Sequence, residues 1–230
     1  MKKRFTLAVM AAIVSALLPM AACVRRPATA TDYFPFRQGV TWTFRFTSST
    51  GTTGELTITN LAPGKLYGYR VVAQQNTGGA NPYREYYTDD GAGIRHVAIE
   101  TAQGLSSKMD DHAYVIKNPV RMGTTWREVE RTLDGMMFDA RTTIESTSDK
   151  VSVPAGTFSG CVRVRSKGTA SPVKHVSDVR RVAEGTVNVE DYYWLAPGVG
   201  PVKGTHQETA GEGELARSIG ISLELERFEQ

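Results

Sequence analysis

An alternating stretch near the N-terminal third of the chain reads Trp42-Thr43-Phe44-Arg45-Phe46. Successive side chains of a β-strand point to opposite faces of the sheet, so a period of two places Trp42, Phe44 and Phe46 on one face. Thr43 and Arg45 take the other face. The pattern predicts a strand with one buried and one wet face, as antiparallel sheets commonly have.

The rest of the chain also has a pattern typical of β-strands. Short runs rich in Val, Ile, Thr, Tyr and Phe alternate with clusters of Gly, Asn, Asp and Pro, which is typical of many strands joined by turns. Helical periodicity is convincing only over residues 1–18, and segments 77–82 and 167–174 are expected to be loops. We predict an all-β fold, a curved antiparallel sheet or open barrel of about twelve strands. The predicted strands are 40–48, 55–61, 67–75, 83–88, 94–100, 114–117, 126–132, 137–147, 161–166, 187–194, 199–208 and 219–227.

A short motif occurs twice in the chain. Residues 35–42 and 119–126 share Pro, Arg, Gly, Thr and Trp at matching positions, an offset of 84. A unit of about five strands cannot bury both faces of its sheet alone. We therefore predict two related halves, about 35–118 and 119–204, that curve around one core within a single all-β domain over 35–230.

The N-terminus has the layout of a signal peptide, with three basic residues before an apolar run over 5–20. That run is shorter than the roughly 20 apolar residues that span a bilayer. Two alanines before Cys23 resemble a lipobox, so we predict a signal peptide over 1–22, a diacylglyceryl group on Cys23, and an anchor and linker over 23–34. An A-x-A site at 28–30 is the alternative and would release a freely secreted protein.

Charge argues against nucleic acid as a partner. Removal of residues 1–22 takes away three of the 27 Lys and Arg and none of the 24 Asp and Glu, so the remaining chain has no formal net charge. Such a chain has no general electrostatic attraction to a phosphate backbone. The membrane, through the lipid anchor, is the expected contact instead.

Catalytic and metal-binding motifs are missing from the sequence. There is no G-x-S-x-G, H-E-x-x-H, Walker or Rossmann pattern. Ser171 and Lys174 fit S-x-x-K, but Pro172 follows the serine, which does not open a helix. The four histidines are scattered, and the parity of Cys161 with two arginines leaves its burial open. No cofactor, metal or enzymatic activity is expected.

Aromatic residues are the candidate ligand-lining side chains. Tyr86, Tyr87, Tyr192, Tyr193 and Trp194 lie on predicted strands, where neighbours in sequence point to opposite faces. One member of each adjacent pair is expected in the core. The other faces solvent or a groove, so cross-strand packing and ligand binding both stand as interpretations.

Three segments resemble a set of bacterial envelope lipoproteins without an established activity. They are 33–42 (YFPxxxGxxW), 153–158 (VPAGTF) and 193–203 (YxxAPGVGxVK), and together they span nearly all of the chain after Cys23. The resemblance implies an envelope-exposed all-β domain and carries no site residues. A more distant resemblance is to the Lol-type lipoprotein carriers, whose curved sheets hold acyl chains on a concave apolar face; it is an analogy of fold alone.

Two functional hypotheses follow. The first is an envelope-tethered binding or structural module, anchored on the extracytoplasmic side and in the outer membrane if the cell is Gram-negative, that holds an apolar ligand or another envelope protein. The alternative is an exported hydrolase. An open apolar groove favours the first, and a polar cleft with convergent His, carboxylate and hydroxyl groups favours the second. An assembly factor would instead show a long unpaired edge strand.

Overall fold

The computed structural model describes residues 27–78, 81–105, 108–109, 112–133, 136–170, 186–211 and 217–230. The predicted signal peptide, Cys23 and the S-x-x-K segment lie outside them. Within these ranges no helix is long and apolar enough to cross a membrane. In the same ranges a 3-10 helix over Ala30–Asp32 precedes fourteen strands: β1 (Thr41–Ser48), β2 (Thr53–Asn60), β3 (Gly64–Leu66), β4 (Tyr69–Thr77), β5 (Tyr83–Asp89), β6 (Gly93–Thr101), β7 (Gly104–Leu105), β8 (Tyr114–Lys117), β9 (Thr125–Arg131), β10 (Met137–Val153), β11 (Gly156–Ala170), β12 (Val187–Ala196), β13 (Gly200–Ala210) and β14 (Arg217–Glu229).

These strands belong to one antiparallel sheet that curls around an interior and stays open. Its order is β7-β6-β5-β4-β2-β1-β14-β13-β12-β11-β10-β9, with β3 beside β4 and β8 beside β6. The predicted fold class is confirmed. Two additional strands, β3 and β7, are three and two residues long, too short to show a period in sequence. The loop predicted over 167–174 is wrong for its first four residues, because β11 continues to Ala170 in a ladder with β12.

Each half of the chain forms an up-and-down meander. One meander runs through β1, β2, β4, β5 and β6, and the other through β9 to β13. The backbone N–H of Gly39 donates to the carbonyl of Asn60 at 2.9 Å, and that of Gly123 donates to the carbonyl of Ile144 at 2.8 Å. The donor and the acceptor of the second bond each lie 84 residues after those of the first, which is the offset of the sequence motif. Duplication of an ancestral unit stays a prediction that these matching bonds support.

The core includes two large apolar clusters. One surrounds Trp42, and the other joins strands of both halves and includes Trp126. Ala30, Tyr33 and Phe34 are buried in the second of these clusters. The last residues of the segment expected as a linker over 23–34 therefore pack into the domain, because their apolar side chains complete the core beside β6 and β8.

The two ends of the curled sheet meet at β8 and β9, which share no ladder in the described part of the chain. The indole N–H of Trp126 on β9 donates to the backbone carbonyl of Tyr114 on β8 at 3.0 Å. We call this junction the seam. Among the described strands β9 has a ladder with β10 alone, so it is an edge strand of seven residues.

Candidate ligand site inside the curled sheet

β9 directs two carboxylates into the interior. Trp126 is a core residue, and the period of two places Glu128 and Glu130 on the same face. Arg127 and Val129 take the outer face, where the Arg127 side chain is well exposed and pairs with Asp139. Glu128 is only 9% exposed. The inward face of β9 therefore carries a core tryptophan followed by two glutamates.

The two carboxyl groups interact with each other. Glu128 accepts a hydrogen bond from the hydroxyl of Thr142 on the neighbouring strand, and Thr142 Oγ1 lies 3.0 Å from Ser166 Oγ. Burial raises the pKa of Glu128 to about 7. Burial, the nearby Glu128 charge and a hydrogen bond to Glu128 raise the pKa of Glu130 well above its usual 4.5. The Glu128–Glu130 pair therefore retains a proton near neutral pH.

His206 lies between two further carboxylates. Its Nδ1 is 2.6 Å from Asp191 Oδ1, and its Nε2 is 2.8 Å from Glu208 Oε1. Asp191 lies directly across the β12–β13 ladder, and Glu208 follows two residues later on the same strand. The hydrogen bond to Asp191, more than any other contact, raises the pKa of His206. The protonated imidazole then donates both of its N–H groups to buried carboxylates.

Glu85 approaches the same region from the first half of the chain. Its Oε2 accepts a hydrogen bond from Asn76 Nδ2 at 3.3 Å, and its Oε1 lies 3.9 Å from His96 Nε2. Its charge contributes to the raised pKa of Glu130 and of Tyr193. Because β5 lies six places from β12 in the sheet order, these groups face each other across the interior.

The structure separates the five aromatic candidates into two groups. Tyr87 and Tyr193 face the interior, whereas Tyr86, Tyr192 and Trp194 face outward. Tyr87 is buried, but Tyr193 is 37% exposed. Burial nevertheless raises the pKa of Tyr193 well above its usual value, with Glu130 as the first of several acidic neighbours. Tyr193 therefore lies on the inward face among acidic neighbours and keeps part of its side chain exposed to solvent.

The outward aromatic residues belong to a packed surface network. Tyr192 and Trp194 stack with ring centroids 5.9 Å apart, and the Arg165 guanidinium lies 5.7 Å from the Tyr192 ring. Trp194 donates its indole N–H to Asp149 Oδ2 at 3.0 Å. Tyr86 donates to Glu100. The structure therefore does not bring these three beside the interior acids, and Trp194 packs against the Trp42 cluster instead.

The opposite wall of the interior is apolar. It is built by β1, β2 and β14, whose inward positions continue from the buried residues Phe44 and Leu225. Phe46 lies opposite Leu223 in the β1–β14 ladder. The half-buried members of this apolar wall are Phe46, Leu56, Ile58, Ile221 and Leu223. The interior is therefore neither a purely apolar groove nor a purely polar cleft.

A pocket of about 490 Å³ lies at the seam, lined by Tyr114 and Lys117 and by residues of β9 that include Trp126, Arg127 and Glu128. Trp126 and Glu128 are inward residues, whereas Arg127 is on the outer face. A second pocket of about 350 Å³ lies beside β1, β13 and β14, and most of its lining, including Thr47, Thr205 and Ser222, is on the outer face of the sheet.

Cys161 is buried and, among the described residues, has no disulfide partner. Its Sγ lies 3.6 Å from the carbonyl of Phe158, and burial raises the pKa of the thiol to about 11. Irregularities in the β10–β11 ladder place it beside the Trp42 cluster, so simple parity could not settle its burial. Within the described ranges, no three His, Cys, Asp or Glu side chains are grouped as ligands for a metal ion.

The acidic groups were not singled out by the sequence analysis. The sequence pattern could have predicted that Glu128 and Glu130 face inward, because they share the parity of Trp126. The pairing of His206 with Asp191 had no such signal, because the ladder between their strands shifts register next to Trp194.

Comparisons with known proteins gave few matches. No family model and no curated protein matches the chain. A solved structure described as a putative lipoprotein, from Parabacteroides distasonis, is similar with 14% identity and a TM-score of 0.43, covering 88% of this chain and 100% of that one. A putative exported protein with a YmcC-like fold, from Bacteroides fragilis, has 15% identity and a TM-score of 0.42, covering 86% and 99%.

Proposed function

We propose that this chain is an envelope-tethered binding module whose curled sheet holds an amphipathic ligand in its interior. The observation that carries the proposal is Tyr193, which lies among interior carboxylates and is still 37% exposed. A purely structural sheet would be expected to bury such an inward tyrosine fully, so this exposure supports space for a ligand beside it.

The two walls match two parts of one ligand. The apolar wall, which includes Phe46 and Leu223, suits a hydrocarbon body, whereas the acidic wall around Glu130 suits a polar end. Ligand sites are commonly apolar with a few convergent polar groups, and this division has that character. The expectation of a purely apolar ligand is thereby refined to an amphipathic one.

The tether is the second part of the proposal. Cleavage after residue 22 and a diacylglyceryl group on Cys23 would hold the domain on the extracytoplasmic face of a membrane, the outer one in a Gram-negative cell. Intact mass of the membrane-extracted protein beside a Cys23→Ala variant tests this part. A chain of residues 23–230 with an added diacylglyceryl mass, lost in the variant, supports it, and an unmodified chain beginning near residue 31 refutes it.

A hydrolase is the second candidate, because His206 lies beside Asp191 as a catalytic base lies beside its orienting carboxylate. However, Nε2, which would accept a proton from a nucleophile, is bonded to Glu208. Among the described residues no hydroxyl is hydrogen-bonded to His206, and the Thr142 hydroxyl donates to Glu128. Activated nucleophiles need contact with their base, so the arrangement favours binding. Equal release of p-nitrophenol from p-nitrophenyl octanoate by wild type and His206→Gln would speak against hydrolysis.

Interior binding is tested by filling the space from Gly204. A Cβ at Gly204 would lie 3.7 Å from Tyr193 Cδ1 and 3.8 Å from Leu223 Cβ, both ordinary contacts, so a leucine there projects between the two walls. Thr205→Leu, on the outer face of the same strand, is the matched control. N-phenyl-1-naphthylamine, a neutral apolar fluorophore, should brighten with wild type and Thr205→Leu and bind at least about tenfold more weakly to Gly204→Leu. Equal binding by all three would place the fluorophore elsewhere and refute the proposal.

A further inference from the structure

We propose that the polar end of the ligand is a protonated primary amine, held by the carboxylates of Glu85, Glu128 and Glu130 and by the side-chain oxygen of Asn76. This inference rests on the proposed interior site and names the class of ligand that fits it: an alkylammonium ion whose hydrocarbon part lies on the apolar wall.

Among the residues that the structure describes, two of the interior carboxylates have a cationic partner, and the three glutamates of the proposed site do not. Asp191 and Glu208 share His206 as a counter-ion. Within the described part of the chain, no lysine or arginine is paired with Glu85, Glu128 or Glu130. The cation nearest to Glu85 would be His96, but burial lowers the pKa of His96 and so favours its neutral form.

The Glu128–Glu130 pair retains a proton instead of facing a cation. Two carboxylates at close range in an enclosed site cannot both ionise without a counter-charge, so a shared proton is the expected resting state. The titratable groups that act on the pair include Asp191 and Tyr193 from β12 and Glu85 from β5. The one cation described near them, His206, is bonded to Asp191 and Glu208. A cation placed here would displace the proton and neutralise the acids directly.

Asn76 provides an independent sign of a hydrogen-bond donor. The residue is 1% exposed, and its Oδ1 has no hydrogen-bond partner among the described residues. The Nδ2 of the same amide donates to Glu85 Oε2 at 3.3 Å, so the unpartnered oxygen lies beside that carboxylate. A buried acceptor without a donor is unfavourable, and a bound donor would remove that cost.

The chemistry of the group follows from these acceptors. Carboxylates and an amide oxygen accept hydrogen bonds, and an ammonium group offers three donors and no acceptor. A carboxylate or phosphate end would meet repulsion from the same three glutamates.

The test compares three ligands of equal chain length on the full chain carrying Cys23→Ala. Octylamine, octanol and octanoate are titrated by isothermal calorimetry near pH 8, where an alkylammonium ion like that of lysine remains charged. We expect octylamine to bind at least about tenfold more tightly than octanol, and octanoate more weakly than either. Octylamine affinity should also decrease as pH falls through 7, because protons compete for Glu128 and Glu130.

Variants assign the effect to the site. Glu128→Gln with Glu130→Gln should remove the preference for octylamine over octanol and leave octanol binding in place. Glu226→Gln, which alters an acid on the outer face paired with Arg45, should retain the preference. Circular dichroism and unfolding midpoints confirm that each variant is folded.

The outcomes separate the two proposals. Equal binding of octylamine and octanol would overturn the amine inference while the interior site stands. Binding of none of the three ligands would overturn both. An equal loss of preference in Glu226→Gln would show that the octylamine effect comes from overall charge, and it would also overturn the inference.

Discussion

The imidazole Nδ1 of His206 lies 2.6 Å from Oδ1 of Asp191, its cross-strand neighbour. With Glu208 on the other nitrogen, one imidazole compensates two buried carboxylates. Removing a partner from such a group leaves uncompensated charge in a poorly solvated place.

His206→Gln should therefore lower the free energy of unfolding by about 3 kcal/mol near pH 6, where the imidazole is charged. Urea unfolding followed by tryptophan fluorescence measures the change. Gln207→Ala, at an exposed position on the outer face of the same strand, serves as the control and should stay within about 0.5 kcal/mol of wild type. Similar losses in both variants would contradict the role given to His206.

Stability should fall as pH rises through the weakly acidic range. Unfolded Glu128 loses its proton near its usual pKa of 4.5, whereas the folded protein keeps it to about 7. Between these values the folded state binds more protons, so the free energy of unfolding decreases with increasing pH. Glu130, whose pKa is also raised, acts in the same direction.

The double variant Glu128→Gln with Glu130→Gln should flatten this slope when urea midpoints are compared between about pH 5 and pH 7. Above the ordinary pKa of histidine, 6.5, some decrease should remain, because the raised pKa of His206 stabilises the fold only while the ring is protonated. Glu226→Gln should follow wild type throughout. A wild-type stability that rises over this range would refute the assignment.

Two neighbouring glycines should respond differently to alanine. A Cβ on Gly93 would lie 2.2 Å from the backbone oxygen of Ile116, so β6 and β8 would have to separate. We expect a loss of more than about 2 kcal/mol for Gly93→Ala. A Cβ on Gly91 would meet no described atom within 4 Å, but its φ is +82°, so Gly91→Ala should cost only about 1 kcal/mol of backbone strain. Thermal unfolding of both variants checks the order, and the reverse order would contradict the contact.

Cys161 should be inert in the native protein. Its side chain is fully buried and burial raises the thiol pKa to about 11, so little thiolate is present or accessible. Iodoacetamide near pH 8 should modify it at least about a hundredfold more slowly than in concentrated urea. Peptide mass mapping reports the modified residue, and rapid labelling of folded protein would show that the site opens.

Strand chemistry made much of the fold predictable. Trp42 and Phe44 alternate with polar residues and are buried as their parity requires. Thr43 departs from parity, since it is buried beside an irregularity in the β1–β14 ladder. A local side-chain pattern is enough to predict which face of a strand is buried, because that burial depends on residues close in sequence.

The interior site was less accessible to prediction. Glu85, Glu130 and Tyr193 are distant in sequence and meet only because the sheet curls. Curvature depends on many small twists and bulges along the ladders, which no single segment encodes. Which of two adjacent tyrosines faces the interior also depends on which face of the sheet becomes concave.

The pairing of β1 with β14 has a consequence for biosynthesis. Thr41 lies opposite Glu229, so the ladder that joins the two meanders pairs segments that are far apart in sequence. Contacts at such long sequence separation form slowly, because a large loop must close first. The edge of β1 that pairs with β14 therefore stays exposed in the first meander until residues 217–229 have been synthesised and have reached it.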